Sequence, residues 1–329
     1  MALDEFLVGV SGDVAGADAR PRFDLALLDE ASVSWEWLRA GGELEPEDVA
    51  PYDAIVLFGP SVTAATLAGV DRLRLVARLG VGIDNVDVDA CTRAGVLVTI
   101  TPDGVRRPMA AGAMAFVLAL AHRLPEMDRH VRAGGWERFL HVGTGLDGRT
   151  LGVVGLGNVG RELAMLAAPF GLRVIVADPF VTDTPAGVEL RALDELLETS
   201  DFVAVTCPLT DITRHLIGPS QLARMKPTAY LVNVARGPIV DEAALVVALR
   251  DGVIAGAALD VFDPEPVRPD NPLLELDNVL LAPHAVGFTD ELLRLSGRSV
   301  SRAALAVRGG RMPEFPVNPE AARAPAGMP

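Results

Sequence analysis

The sequence contains few cysteines and few aromatic residues. Among its 329 residues there are two cysteines, and aromatic side chains make up 5%. Cys91 and Cys207 lie far apart and form no CxxC pair, which argues against a disulfide framework and against a zinc cluster. We therefore expect a reducing compartment, no metal centre, and a core built mainly from Ala, Val and Leu.

Positive charge is also scarce. The formal net charge is −15 at pH 7, from 29 basic and 44 acidic residues. Nucleic-acid binding needs a dense basic surface, so nucleic acid is not an expected partner. A small anionic substrate is still compatible with this composition, because one or two arginines are enough to bind it.

Long hydrophobic runs are absent as well. The most apolar stretch, Pro108–Ala121, has 14 residues and is followed by His122 and Arg123, so it is too short to span a bilayer. Asp4 and Glu5 occupy the place where a signal peptide would carry basic residues. We expect a cytoplasmic protein without a membrane partner, and a loose Pro/Ala-rich tail after residue 319.

The length exceeds what one hydrophobic core usually serves, so two domains are expected. Short apolar runs separated by helix-length segments are typical of parallel α/β units. The predicted strands are residues 6–10, 25–28, 54–58, 73–79 and 96–100 in a first unit, and 151–154, 173–177, 202–206, 229–233, 256–259 and 279–282 in a second. The predicted helices include residues 108–133, 160–170 and 290–308, the last of which has no sheet of its own and is expected to return to the first unit.

A dinucleotide fingerprint opens the second unit. Gly155, Gly157 and Gly160 form the pattern G-x-G-x-x-G between an apolar strand and a helix, which is the context that this motif requires. The first glycine would permit the tight turn, the second a close approach of the diphosphate, and the third close helix–strand packing. The N–H groups of Asn158 and Val159 would face the diphosphate. The alternative is a glycine-rich turn without a ligand.

The next predicted strand ends at Asp178, 18 residues after Gly160. A carboxylate there would accept hydrogen bonds from the ribose hydroxyls and repel a 2′-phosphate, and no Arg or Lys follows until Arg191. NAD is therefore expected as the cofactor rather than NADP. The alternative is a turn aspartate before Pro179.

Several more specific motifs accompany this fingerprint. They are GVGIDNVD at 80–87, CPLT at 207–210, NVARG at 233–237, ALDVF at 258–262, DPEP at 263–266 and PHAVG at 283–287. Together they resemble the D-isomer-specific 2-hydroxyacid dehydrogenase family over nearly the whole chain. The resemblance implies an α/β fold of two doubly wound parallel-sheet domains. A Rossmann NAD-binding domain (104–286) would be inserted into a flavodoxin-like substrate domain (1–103 and 287–329).

The resemblance also implies a cleft between the domains that closes over substrate. It implies a homodimer as well, built through the long helix and the loop that follows it, here about residues 108–145. Trp136 would belong to that interface, although an ordinary core aromatic is the alternative.

Reduction of a 2-oxo acid requires an anchor for the carboxylate, polarisation of the ketone and a proton. Arg236 follows a predicted strand, and its guanidinium can hold the carboxylate and contact the ketone; a surface ion pair is the alternative. His284 also ends a strand and is the candidate acid–base, since the unperturbed imidazole pKa of about 6.5 allows both directions near neutrality. Glu265 would hydrogen-bond the other ring nitrogen. A structural histidine is the alternative. The remaining histidines have no comparable motif at a strand end and are expected to be structural or surface residues: His122, His130, His141 and His215.

The remaining site residues depend on the resemblance. It places Asp260 close to the nicotinamide, with a turn aspartate as the alternative, and it gives Val81 and Gly82 as backbone donors to the substrate carboxylate. Further predicted cofactor contacts are Cys207, Pro208, Thr213, Val234, Ala235, Arg236, His284 and Gly287. A nucleophilic Cys207 is not favoured, because Cys-Pro here belongs to a cofactor loop.

One segment departs from the family pattern. An Asn followed by Val-Ala-Glu is usual near the start of the long helix, whereas this chain has Arg106 and Arg107, with Gly112 at the position of the Glu. The arginines could meet a second anionic group of the substrate, or they could be solvated charges at the helix start. The departure leaves the identity of the substrate open.

The sequence therefore predicts an NAD-dependent oxidoreductase that interconverts a small 2-oxo acid and its D-2-hydroxy acid, for example glyoxylate or hydroxypyruvate. A phosphoglycerate dehydrogenase is the second reading, although the sequence has no room for the C-terminal regulatory domain that many of these carry. Formate- and phosphite-oxidising relatives rank lower. A non-catalytic NAD-sensing corepressor is the alternative from another class.

Overall fold

The computed structural model describes residues 6–18, 20–39 and 41–323, so Asp4, Glu5 and the end of the tail lie outside the described residues. The chain divides into two compact units, Met1–Val105 with Thr289–Pro329, and Arg106–Phe288. Each division falls two residues after the boundary expected from the resemblance.

Twelve strands and ten α-helices are present in the described ranges. The strands are β1 (Leu7–Val10), β2 (Ser34–Trp37), β3 (Ala54–Leu57), β4 (Leu75–Arg78), β5 (Leu97–Thr99), β6 (Thr150–Val154), β7 (Arg173–Ala177), β8 (Val188–Leu190), β9 (Phe202–Val205), β10 (Tyr230–Asn233), β11 (Gly256–Leu259) and β12 (Val279–Leu281). The helices are α1 (Ala26–Glu30), α2 (Pro46–Val49), α3 (Val88–Arg93), α4 (Pro102–Ala121), α5 (Leu124–Arg132), α6 (Asn158–Ala167), α7 (Leu193–Thr199), α8 (Pro219–Arg224), α9 (Glu242–Arg250) and α10 (Asp290–Arg308). Short 3₁₀ helices include Gly237–Ile239 and Pro319–Arg323.

The first unit contains, within its described residues, a five-stranded parallel sheet in the order β2-β1-β3-β4-β5. This is the flavodoxin-like order. The central strand β3 is fully buried, as expected for a parallel strand covered on both faces. Helix α10 belongs to this unit, where Gly297 allows close approach to the Asp24 backbone.

The second unit contains, in the part of the chain that is described, a seven-stranded parallel sheet in the order β8-β7-β6-β9-β10-β11-β12. Helices α4 and α6 pack on one face of this sheet, and α7, α8 and α9 pack on the other. The chain reverses its direction of growth between β6 and β9, which is the point where doubly wound sheets bind dinucleotides. The predicted fold class is confirmed.

Two predictions for the first unit were wrong. The run at 25–28, predicted as a strand, begins α1, because the Asp24 side chain accepts a hydrogen bond from the Ala26 N–H (3.0 Å) and favours a helical turn. Strand β2 was missed because its side chains alternate between exposed and half-buried at the sheet edge, so it has no apolar run.

The long helix was also predicted with the wrong ends. Helix α4 begins at Pro102, where a missing N–H costs no hydrogen bond, and it continues through Pro108. It ends at Ala121, because Pro125 can neither donate to the Ala121 carbonyl nor avoid its ring clashing with that group. Arg123 takes a left-handed φ of 53° at the break.

Helix α4 is long and apolar enough to cross a membrane by length and composition alone, and no other helix in the described residues is. Most of its apolar stretch is buried inside the protein. Ala113 and Val117, for example, are fully buried in the core beneath the second sheet. This is the burial that a core helix has.

Candidate active site

Most of the predicted site residues follow strands of the second sheet. Parallel strands present their carboxyl ends at one edge, so the segments after β6, β7, β9, β10, β11 and β12 share that edge. The fingerprint glycines, Asp178, Cys207, Arg236, Asp260 and His284 stand on these segments in that order. The topology therefore brings to one edge of the sheet residues that lie up to 129 positions apart in the chain, from Gly155 to His284.

The three fingerprint glycines occupy three different environments. Gly155 has a φ of +97°, and a Cβ there would lie 2.6 Å from the Cys207 backbone. A Cβ at Gly160 would lie 2.1 Å from the Gly155 carbonyl oxygen, so this glycine allows α6 to pack on the turn. A Cβ at Gly157 would meet nothing within 4 Å. The open side of Gly157 is the room that a diphosphate would need.

Helix α6 begins directly after this turn. Gly157 is its N-cap and offers no side chain to the first N–H groups, and the first turn carries no acidic residue. Asn158 and Val159 therefore present backbone donors at the positive end of a ten-residue helix. These features fit the diphosphate of NAD.

The carboxylate of Asp178 is fixed beside the glycine turn. Its Oδ2 accepts a hydrogen bond from the Leu156 N–H (2.8 Å), and its Oδ1 accepts one from the Phe180 N–H (2.9 Å). A carboxylate can accept about four hydrogen bonds, so acceptor capacity remains for ribose hydroxyls.

The loop after β9 is held by its own side chains. Thr213 Oγ1 donates to the Pro208 carbonyl (2.7 Å) and accepts from the Thr210 N–H (2.7 Å). Cys207 is buried, and burial raises the pKa of its thiol to about 11. The thiol is therefore protonated at neutral pH, which makes it a poor nucleophile.

Asn233 shapes the turn that carries Arg236. This buried side chain accepts a hydrogen bond from the Ala235 N–H (3.1 Å) and donates to the Arg236 carbonyl (2.9 Å). The Arg236 guanidinium donates back to the Ala235 carbonyl (2.7 Å). No role for Asn233 is predicted from the sequence, although an Asn at the end of a strand and three residues before the anchor is the signal of such a turn.

His284 and Glu265 form a hydrogen-bonded pair. His284 Nδ1 lies 2.7 Å from Glu265 Oε2, and Glu265 Oε1 accepts from the Phe262 N–H (3.0 Å). The side chains are 45% and 35% exposed, so the imidazole can be reached from solvent. His284 has a φ of 52°, in the left-handed region that is uncommon for non-glycine residues.

The surroundings of Glu265 favour its charged form. Burial alone would raise the pKa of this carboxyl group. The hydrogen bonds from His284 and the Phe262 N–H, with the charges of His284 and Arg236, outweigh burial and lower the pKa below its usual value. A carboxylate in this position fixes the orientation of the ring and its tautomer.

Asp260 is fully buried behind this pair. Its Oδ1 accepts hydrogen bonds from the N–H groups of Ala285 (2.8 Å) and Val286 (3.0 Å), the residues that follow His284. Its Oδ2 has no hydrogen-bond partner among the described residues, and burial raises the pKa of the carboxyl group. Its contact with a nicotinamide stays a prediction.

Val81 and Gly82 belong to the first unit, in the loop after β4. The start of this loop is fixed by Gly80, which has a φ of 129°, donates to Thr101 Oγ1 (2.8 Å) and accepts from the Thr101 N–H (2.9 Å). Val81 is exposed. The role of these two residues in carboxylate binding stays a prediction.

The two arginines that depart from the family pattern lie in the second turn of α4. Arg107 forms an ion pair with Glu162 of α6, with Nη1 2.6 Å from Oε1. Arg106 is exposed and forms no ion pair with the described residues. The ion pair accounts for Arg107 without a substrate.

Two of the other histidines lie in the segment after α4, each with a ring nitrogen close to a glutamate oxygen. His130 Nε2 lies 2.7 Å from Glu137 Oε2, and His141 Nδ1 lies 3.3 Å from Glu126 Oε2. Within the described residues, no group of three or more His, Cys, Asp or Glu side chains is arranged to hold a metal ion. These contacts fit structural histidines.

Comparisons with known proteins agree with this geometry. Residues 114–286 match the family model described as D-isomer specific 2-hydroxyacid dehydrogenase, NAD binding domain. A glyoxylate reductase of Korarchaeum cryptofilum is 43% identical over 282 residues, covering 83% of this chain and 85% of that protein. A D-3-phosphoglycerate dehydrogenase of Methanocaldococcus jannaschii is 40% identical over 80% of this chain, which spans 51% of that protein. A solved D-lactate dehydrogenase of Aquifex aeolicus, complexed with NAD and lactic acid, has a TM-score of 0.80 at 27% identity, covering 92% of this chain and 96% of that one.

The fold and the matched domain define an NAD-dependent oxidoreductase. The chain belongs to the D-isomer specific 2-hydroxyacid dehydrogenase family. The predicted class of enzyme and the predicted cofactor are thereby confirmed.

Proposed function

We propose that this enzyme reduces a small 2-oxo acid to the 2-hydroxy acid, with glyoxylate as the first candidate, and that it forms the D isomer where C2 becomes a stereocentre. The observation that carries the proposal is the His284–Glu265 hydrogen bond of 2.7 Å, with the charge of Arg236 acting on the same carboxylate. Relatives named glyoxylate reductase, of similar length to this chain, support the choice of substrate.

Each of these residues has one task in the reaction. The bound cofactor would supply the hydride as NADH in reduction and would take it up as NAD+ in oxidation. Arg236 binds the carboxylate of the acid and polarises the carbonyl, because a guanidinium presents two parallel donors. His284 donates a proton from Nε2 to the oxygen that becomes the hydroxyl, and it accepts that proton in the reverse direction. Glu265 keeps Nδ1 protonated and the ring oriented.

The proposal is tested by following NADH oxidation with a panel of acids. The panel contains glyoxylate, hydroxypyruvate, pyruvate, a 2-oxo dicarboxylate and phosphohydroxypyruvate. The dicarboxylate and phosphohydroxypyruvate test whether Arg106 binds a second anionic group, and phosphohydroxypyruvate also tests the phosphoglycerate dehydrogenase alternative. Turnover of none of them, with NADH still bound tightly, would favour the NAD-sensing alternative.

Asp178 is proposed to select NAD over NADP. Asp178→Asn keeps an oxygen that can accept the Leu156 N–H but removes the charge. We expect the ratio of kcat/KM for NADH to that for NADPH to fall about tenfold or more, because like charges brought together at an interface cost several kcal/mol. Asp194→Asn, at an exposed ion pair with Arg224, is the matched control. An unchanged ratio in Asp178→Asn would remove this role.

A homodimer is proposed through the segment around α5. Six large apolar side chains are exposed within 19 residues: Leu124, Val131, Trp136, Phe139, Leu140 and Val142. Such a concentration is uncommon on the surface of a monomer and marks an interaction site. Trp136 is 71% exposed, so the core-aromatic alternative is not supported.

We expect wild-type protein to sediment as a dimer, and Trp136→Ser with Phe139→Ser to sediment as a monomer, because these changes remove apolar area from the interface. Met312→Ser, at an exposed apolar residue of the first unit, should leave the dimer intact. Analytical ultracentrifugation checks both. A monomeric wild type, or a dimeric double variant, would rule out this interface.

A further inference from the structure

The segment that follows His284 is bound from one side by Asp260. The His284 N–H donates to the Asp260 carbonyl (2.7 Å), and the next two N–H groups, of Ala285 and Val286, donate to Asp260 Oδ1. The segment then turns, with the Phe288 N–H donating to the Ala285 carbonyl (2.9 Å). Asp260 therefore accepts the hydrogen bonds of three successive N–H groups in residues 284–286. The Val286 carbonyl makes its contact elsewhere.

Helix α4 supplies that second contact. A Cβ at Gly112 would lie 2.7 Å from the Val286 carbonyl oxygen and 2.9 Å from Val286 Cγ2. One turn earlier on the same face of α4, Met109 Sδ would lie 2.2 Å from a Cβ placed on Gly287. Two successive turns of α4 are thus in direct contact with the segment.

This contact gives a physical reason for glycine where the family pattern has glutamate. Real Cβ atoms essentially never approach a backbone oxygen as closely as 2.7 Å, so any side chain at position 112 would displace the helix or the segment. We propose that Gly112 is a positioning residue for His284. The contact of α4 with Val286, together with Asp260, sets the alignment of His284 with Glu265. This inference rests on the proposed function, in which His284 is the proton donor.

The variant that tests the inference is Gly112→Ala. We expect kcat to fall about tenfold to a hundredfold, because a misplacement of about 1 Å can cost that much, while the Kd for NADH changes less than about twofold. The His284 hydrogen bond helps to lower the pKa of Glu265. If Gly112→Ala weakens this hydrogen bond, the pKa of Glu265 should rise. The acid limb of the pH profile of kcat/KM should then move to higher pH.

A readout independent of turnover is the hydrogen exchange of the Ala285 and Val286 amides, measured on the peptide that contains them. These amides are bonded to Asp260 Oδ1, and we expect Gly112→Ala to accelerate their exchange. The matched control is Gly152→Ala in β6, whose Cβ would lie 2.3 Å from Ser200 Oγ. It should lower Tm without changing the pH profile or this exchange.

A second pair of variants covers the case in which Gly112→Ala does not fold. In Gly287→Ala the new methyl group meets the flexible end of Met109, so the clash is milder and kcat should fall. Adding Met109→Ala removes the opposing atoms and should restore much of the activity. Failure of this rescue would contradict a contact between α4 and the segment.

The results separate this inference from the proposed function. If wild type reduces 2-oxo acids while Gly112→Ala keeps the wild-type kcat, pH profile and exchange, the inference is wrong and the function stands. If Gly152→Ala produces the same pH shift, the effect is general loosening and the inference is again wrong. If wild type reduces no acid, the proposed function fails, and the exchange of the two amides still shows whether Gly112 fixes the segment.

Discussion

Replacing His284 by alanine is expected to lower kcat for 2-oxo acid reduction by about 10²–10⁴-fold, the range that a positioned general acid contributes. The ring is the group that can deliver a proton to the emerging hydroxyl, and Glu265 holds its other nitrogen at 2.7 Å. Alanine removes both the proton and the partner of Glu265. Steady-state rates with NADH and the best acid of the panel measure the loss.

Two controls separate lost chemistry from lost structure. His284→Gln keeps a side chain that can hydrogen-bond Glu265 but cannot exchange a proton near neutral pH, so it should be nearly as inactive as alanine. Both variants should bind NADH with a Kd close to wild type, because His284 is one predicted cofactor contact among many and the glycine turn and α6 are untouched. A variant that retains more than about a tenth of the activity would contradict the assignment of His284.

Replacing Arg236 by alanine is expected to lower kcat/KM by about 10²–10⁴-fold. The guanidinium anchors the carboxylate, and truncating one partner of a hydrogen-bonded charge pair costs about 2–5 kcal/mol. Arg236→Lys retains a charge but not the planar pair of donors, so it should recover part of the loss. Equal activity of wild type and Arg236→Ala across the panel would show that another residue binds the carboxylate.

Arg236 also influences the acid limb of the pH profile. Its charge is one of the causes that lower the pKa of Glu265. A carboxyl group with a lowered pKa stays ionised to lower pH, so removal of the positive charge brings protonation at higher pH. Arg236→Ala should therefore lose activity at a higher pH than wild type, whereas Arg236→Lys should keep the wild-type acid limb. The pH dependence of kcat/KM measures both.

The parts of the fold that were predicted correctly are those that a short stretch of sequence determines by itself. Buried parallel strands such as β6 and β9 are continuous apolar runs, so periodicity and length sufficed to find them. The glycine fingerprint is also a local pattern, and each of its three glycines is required by a different feature of its surroundings. The doubly wound class of the two sheets followed from the family resemblance.

The parts that were missed depend on contacts between distant residues. The edge strand β2 gains its partner from β1 rather than from its own composition. Gly112 shows no local signal, because its requirement comes from Val286, 174 positions later in the chain. The role of Asp260 as acceptor for the two amides after His284 likewise depends on the pairing of β11 with β12, which brings these distant segments together.

The most direct test of hydride transfer uses NADH that carries two deuterium atoms at C4 of the dihydronicotinamide ring, so that either face delivers the label. Wild-type protein is incubated with the labelled cofactor and pyruvate or hydroxypyruvate, and the product is analysed by mass spectrometry and chiral chromatography. We predict a D-2-hydroxy acid with one deuterium at C2, formed by wild type and not by His284→Ala. An unlabelled product, an L-configured product, or equal formation by His284→Ala would contradict it.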